Sequence, residues 1–173
     1  TSVDESRFMR GAAVELGMGK FSLAVFGSRK KVDASVELDL NEQPNKFFTS
    51  LKQDGLRRTN TEIARKNVLD ETMFGSNLRY EQRKFQFGIA VTSQSYSLDF
   101  FKDTSAYNQF SFRGKSTVGI STDYSCIFRN FHFFGEASMY SFSGVYSILT
   151  GVLLSMHERV SMAMVYWNFD RAY

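Results

Sequence analysis

The stretch RYEQRKFQFGIAVTSQSY, Arg79 to Tyr96, decides how the rest of the chain is read. Phe85, Phe87, Ile89 and Val91 share one parity, and Gln86, Gly88, Ala90 and Thr92 share the other. Successive side chains of a strand point to opposite faces, so this is a strand with one bulky apolar face and one small or polar face. The question it sets is whether the bulky face meets a protein core or lipid.

The same alternation extends in both directions. Upstream, Phe8, Ala12, Val14 and Leu16 share a parity, with Arg10 the exception, and Gly17 to Gly19 supply turn chemistry. KFSLAVFGSRKKVDASVELDL, Lys20 to Leu40, then begins with Phe21, Leu23 and Val25 on one face. Its second half, with Arg29, Lys30, Lys31, Asp33, Glu37 and Asp39, is too polar for lipid or core. It reads as one strand running out into water, with a hairpin near SRKK as the alternative. From Val68, Thr72, Phe74, Leu78 and Tyr80 oppose Glu71, Gly75, Asn77, Arg79 and Glu81, and Arg83 and Lys84 make a tight turn into the opening stretch.

Downstream, Val118, Ile120, Thr122, Tyr124, Cys126 and Phe128 oppose Gly119, Ser121, Asp123 and Ser125. Arg129 and Asn130 turn the chain, and Phe133, Gly135, Ala137 and Met139 then oppose Phe134, Glu136, Ser138 and Tyr140. Two further strands follow, one on each side of HER, His157 to Arg159, which brings the count to eight. Two longer connections interrupt the pattern, residues 41–67 and 97–110. In the first, Thr59 stands three residues before Glu62, a capping-box spacing that predicts a short helix through about Lys66.

Composition agrees with an all-β chain. Eighteen Phe, eight Tyr and one Trp make 16% aromatic, and Pro44 is the single proline, so little interrupts a hydrogen-bonded ladder. The net charge of +3 is too mild to argue for nucleic acid. Cys126 alone forms no intrachain disulfide; on the bulky parity it reads as a small apolar residue. No apolar run reaches the length of a membrane-spanning helix. There is no repeat, low-complexity tract or linker, so 1–173 is expected to be one unit. The opening TSVDESRF begins mid-pattern, as a mature protein or a piece of a larger one would.

Three features favour lipid over core. Several strands are long, Phe112 to Phe128 among them, against about 5–6 residues in soluble sheets and ~9–11 for a tilted membrane strand. The second face is rich in Gly and Ser, where a soluble sandwich would carry Lys and Glu. Short turns fall on one edge and long connections on the other, the habit of outer-membrane barrels. Aromatics near strand ends, Phe85, Phe128, Phe131, Tyr140 and Trp167 among them, fit interfacial girdles. The expected fold is therefore an antiparallel transmembrane β-barrel of about eight strands, complete or a segment of a larger barrel, with a long outer loop at 41–67.

FGSRKKVDA, GLRRT, EIARKN and ERVSMAMVYWNFDRAY carry a family resemblance. With them the chain resembles outer-membrane β-barrel proteins of Bacteroidota, in particular the barrel region of helix-hairpin-helix proteins labelled ComEA-like. The resemblance covers most of the chain and implies a bacterial outer-membrane location and a partial barrel. It assigns no chemistry. The helix-hairpin-helix part has no counterpart here, so DNA binding is not carried over to any residue.

Chemistry is sparse. His132 and His157 stand 25 positions apart with no ligand at metal spacing, so no metal or other cofactor is expected. SFSGV sits at a β turn and is no nucleophile elbow, and Ser95 and Ser97 have no base nearby, so no enzyme activity is expected. Glu71, Arg79, Arg113, Asp123 and Glu136 fall on or near the lumen parity. They form either a charged ring that selects solutes or a set of internal salt bridges. Arg57, Arg58, Arg65 and Lys66 form a basic cluster on the long loop, either simply solvated or in contact with lipopolysaccharide phosphates, a partner or DNA. The expected role is transport, uptake or surface scaffolding, with outer-membrane lipid, lipopolysaccharide and other outer-membrane proteins as partners. The rivals are a soluble β-barrel holding an apolar ligand, and an accessory subunit of a larger outer-membrane machine.

Overall fold

The structure, a computed structural model, describes residues 8–39, 45–52, 58–102, 105–140, 144–157 and 159–171. Nine strands join in one hydrogen-bonded sheet. They are β1 (Gly11–Met18), β2 (Phe21–Asp39), β3 (Asn45–Lys52), β4 (Leu69–Gln82), β5 (Phe85–Phe100), β6 (Gly114–Phe128), β7 (Phe131–Tyr140), β8 (Val145–His157) and β9 (Val160–Phe169). One helix, α1 (Asn60–Ala64), and a 3-10 turn at Ala106–Asn108 complete the described elements. The all-β expectation holds in strand content, and β2 is a single strand rather than a hairpin.

The chain packs as two compact units. The first comprises Thr1–Ala12, Gly27–Met73 and Gln94–Ser116. Here β2 pairs with β3 and with β4, and β5 pairs with β3 and with β4, so four strands close a ring. Val32, Ala34, Phe48 and Leu69 are its buried core, with Val36, Leu51, Tyr96, Leu98 and Phe100 packed against them. Closure is made by β3, which runs antiparallel to β2 and touches β5 in parallel at only two positions, Phe47 opposite Asp99 and Phe48 opposite Phe100. The second half of β2, expected to run into water, thus supplies half of the buried core. Two of its charges are met by distant groups: Asp33 accepts from the Asn67 N–H at 2.8 Å, and Lys30 meets Glu71 at 3.1 Å.

The long connection is also more ordered than expected, because β3 lies within 41–67. The expected helix forms: the Thr59 hydroxyl accepts from the Glu62 N–H, and the Glu62 carboxylate accepts from the Thr59 N–H, so orphan amides at the helix start are satisfied reciprocally. The second connection begins later than expected, since β5 continues to Phe100.

The second unit comprises Ala13–Phe26, Phe74–Ser93 and Thr117–Tyr173. It is a meander in which consecutive strands pair, β1, β2, β4, β5, β6, β7, β8 and β9 in order, with β1 and β9 at its edges. The two-residue turns at Arg83-Lys84 and Arg129-Asn130 stand where the sequence places them. Among the described residues this unit buries no large apolar side chain; the buried apolar core belongs entirely to the ring.

Candidate functional site

The bulky parities of the second unit coincide on one face. Cross-strand registers place Ile120 opposite Met139, Cys126 opposite Phe133, Phe133 opposite Val152, and Val152 opposite Met164. Ring contacts continue the face, Phe21 to Tyr80 at 4.9 Å and Tyr80 to Phe85 at 6.2 Å. The face is solvent-exposed: Phe87 is 37% exposed, Phe133 41% and Met164 69%. On these strands it carries no Lys, Arg, Asp or Glu. At roughly 200 Å² per large side chain, about twenty such residues expose on the order of 1,500 Å² of mostly apolar surface.

The opposite face carries Ser, Gly and the charges, and its glycines make room for cross-strand side chains. A Cβ at Gly75 would enter the Phe26 ring, one at Gly88 would meet the Asp123 carboxylate, and one at Gly151 would meet Phe134. The Ser125 hydroxyl and His132 Nε2 lie 2.8 Å apart, and the Ser138 and Ser147 hydroxyls 2.7 Å apart. On β8 and β9 this face too becomes apolar, with Leu149 opposite Trp167 and Gly151 opposite Val165. Every residue of β9 is exposed.

The five candidate lumen charges divide between the units. Glu71 is buried within the ring, in a salt bridge with Lys30 whose side chains are 11% and 14% exposed. Gln94 Nε2 donates to Glu71 Oε1 at 2.6 Å and to the Tyr96 hydroxyl at 2.8 Å. Burial, followed by the charge of Glu71 and a hydrogen bond to it, pushes the Tyr96 phenol up to about 12, so it stays a neutral donor. For Glu71 the internal ion pair is therefore the arrangement found. Arg113 is exposed in the connection before β6, and Arg79 is exposed on β4. Asp123 and Glu136 are directly opposed on β6 and β7, like charges in register, and neither has an ion-pair partner among the described residues. No group of His, Cys, Asp and Glu fit to hold a metal occurs among the described residues.

In the basic cluster, Arg57 lies outside the described residues. The Arg58 guanidinium is 3.8 Å from Glu62, so part of its charge is offset. Arg65 and Lys66 are exposed; the Arg65 carbonyl accepts from the Ala34 N–H at 3.2 Å, which ties the end of α1 to β2.

Two features escaped the sequence reading. One is the set formed by Glu71 of β4 with Lys30 of β2 and with Gln94 and Tyr96 of β5. The other is a cleft of about 310 Å³ in the ring unit, between Thr49–Leu51 of β3 and Tyr96 and Phe100 of β5, with Phe112 and Lys102 at its margin. It opens where β3 parts from β5 after Phe48. Clustered aromatics, Phe47 and Phe48 followed by Phe100 and Phe101, are the only sequence trace of it.

Comparison with protein-family models, curated proteins and solved structures finds no match to this chain.

Proposed function

We propose that the chain is all or part of a β-barrel embedded in a bacterial outer membrane, non-catalytic, serving transport, uptake or surface scaffolding. One observation carries this reading: the second unit turns a charge-free apolar face outward and, among the described residues, buries no large apolar side chain of its own. Soluble monomers rarely expose apolar patches beyond a few hundred Å². A bilayer removes that cost, and ~9–11 tilted residues cross its hydrocarbon; β7 and β9 have 10 residues each and β8 has 13.

Hydrocarbon also requires every backbone N–H and C=O to be paired. In a membrane the edges of β1 and β9 would therefore pair with each other or with further strands of a larger barrel. Eight antiparallel strands are an even number and can close. The polar face of β1 and β2 carries the small Ala13, Gly17, Ser22 and Ala24 beside Glu15 and Phe26, and with Leu149, Val165 and Trp167 of β8 and β9 these side chains would fill a lumen.

The test is partition. Refolded with lipid, the chain is expected to float with vesicles, resist alkaline extraction and migrate differently on gels before and after boiling. A monodisperse, folded, detergent-free sample sinks the proposal. That outcome would instead favour a soluble barrel that holds an apolar ligand, a reading to which the aromatic cleft of the ring unit lends support.

A further inference from the structure

The short turns of the second unit share a composition that the membrane reading does not use. The hairpins β1–β2, β4–β5, β6–β7 and β8–β9 all turn at the same edge of the meander, because consecutive strands alternate in direction. Each turn carries a cation: Lys20 in the first, Arg83 and Lys84 in the second, Arg129 in the third and Arg159 in the fourth. All five are exposed, and none has a carboxylate partner among the described residues. Counting the nearby acids Glu81 and Glu158 from the sequence, five cations and two acids leave +3 at this edge.

At three of the four turns aromatic rings lie immediately inside the cations; the turn at Arg159 is flanked by His157 and Val160. Phe21 follows Lys20, Phe85 follows Lys84, and Phe128 and Phe131 bracket the third turn. Phe21, Tyr80 and Phe85 touch in sequence, Phe131 stacks on Phe133 with centroids 5.8 Å apart, and the Arg129 guanidinium lies 5.5 Å from the Phe128 ring centre. Rings so placed prefer the headgroup level of a bilayer. One residue further along a strand, ~3.3 Å, is the depth of the phosphates, and long basic side chains reach outward to it.

We propose that this edge is a phosphate-binding rim for the anionic glycerophospholipids of one leaflet. The proposal rests on the membrane reading and adds to it which edge meets negative lipid, and through which residues. Lys and Arg near an anionic surface each favour association about fivefold, so a rim of this charge discriminates strongly between anionic and zwitterionic headgroups at low salt.

The test uses the full chain in phosphatidylcholine vesicles that carry a trace of spin-labelled phosphatidylglycerol or spin-labelled phosphatidylcholine. The expected spectrum has a motionally restricted component for both lipids, with at least a fivefold preference for phosphatidylglycerol. That preference should vanish in 1 M salt, where the screening length is ~3 Å, and in the variant Lys20→Gln/Arg83→Gln/Lys84→Gln/Arg129→Gln. It should persist in Arg58→Gln/Arg65→Gln/Lys66→Gln. The rim is overturned if the wild-type chain restricts both lipids equally, or if the preference survives the turn substitutions. A chain that restricts neither lipid overturns the membrane reading itself, so the two failures are distinct. If the fourfold variant does not fold, Lys84→Gln/Arg129→Gln is read in its place: a preference reduced severalfold supports the rim, and an unchanged one overturns it.

Discussion

Gly135 on β7 is buried beneath the ring of Tyr124, and the tyrosine hydroxyl reaches across it to the Thr150 hydroxyl at 2.6 Å, two strands away. A Cβ at this position would lie inside contact distance of both the ring and the Leu149 carbonyl. Gly135→Val is therefore expected to destabilise the fold by about 2 kcal/mol or more, as overpacking does, seen as a lower midpoint in denaturant. Within the ring unit, Glu71→Gln leaves Lys30 nearly buried beside a neutral amide, and breaking such a pair costs about 3 kcal/mol. Tyr96, also in the ring unit, titrates higher folded than unfolded, from about 10 to about 12. Its stabilising contribution is intact below pH 10 and is lost as pH rises toward 12. Tyr96→Phe should remove that part of the alkaline loss, measured as a shallower fall of unfolding midpoint between pH 10 and 12. Glu71 was recognisable in the sequence as a charge on the inner parity. Its partners were not, since Lys30 sits in a basic run that reads as solvated until a strand 41 residues later supplies the carboxylate.

Among the elements, α1 was legible because its signal is local: Thr59 and Glu62 satisfy each other's amides with no help from the rest of the fold. Thr59→Ala should cost about 1 kcal/mol, confined to faster amide exchange over 60–66 while the strands keep their protection. By contrast, β3 escaped notice for a reason visible in its register. Ala34 pairs with Leu51 and Val36 with Phe48, with a shift between Ser35 and Val36, so Thr49 is an extra residue. The bulge puts Phe48 and Leu51 on the same inner side three positions apart, which hides the period of two. Its partner, the second half of β2, looks too charged to pair against a core. Both strands make sense only together, and pairing between segments that each lack a clear pattern is what single-sequence periodicity misses.

For the whole molecule, parity alone located the outward apolar face, because eight strands of one meander repeat the same alternation. The closed four-strand ring was not legible, since it depends on β3. If lipid meets the apolar face, Ile89→Arg, near the middle of β5's outward run, should destabilise the folded state by about 2–4 kcal/mol, whereas Arg on a water-facing strand changes stability by only about 0.5 kcal/mol. Equilibrium unfolding from vesicles reads the difference. If β1 and β9 close on each other, cysteines at Leu16 and Met164 in a Cys126→Ser background should cross-link within one chain; cross-links only between chains would show edges joined between copies. The β8–β9 hairpin has a further consequence, for biosynthesis. Between Val145 and Met156, and again between Val160 and Phe169, no residue is charged, and β9 ends the sheet with both faces apolar. Such a ribbon is an adhesive template while it waits in an aqueous compartment. If the chain is bound for a membrane, this hairpin must be shielded on the way, and yield in cells that lack a holding chaperone in that compartment should fall most steeply for chains that retain the last hairpin.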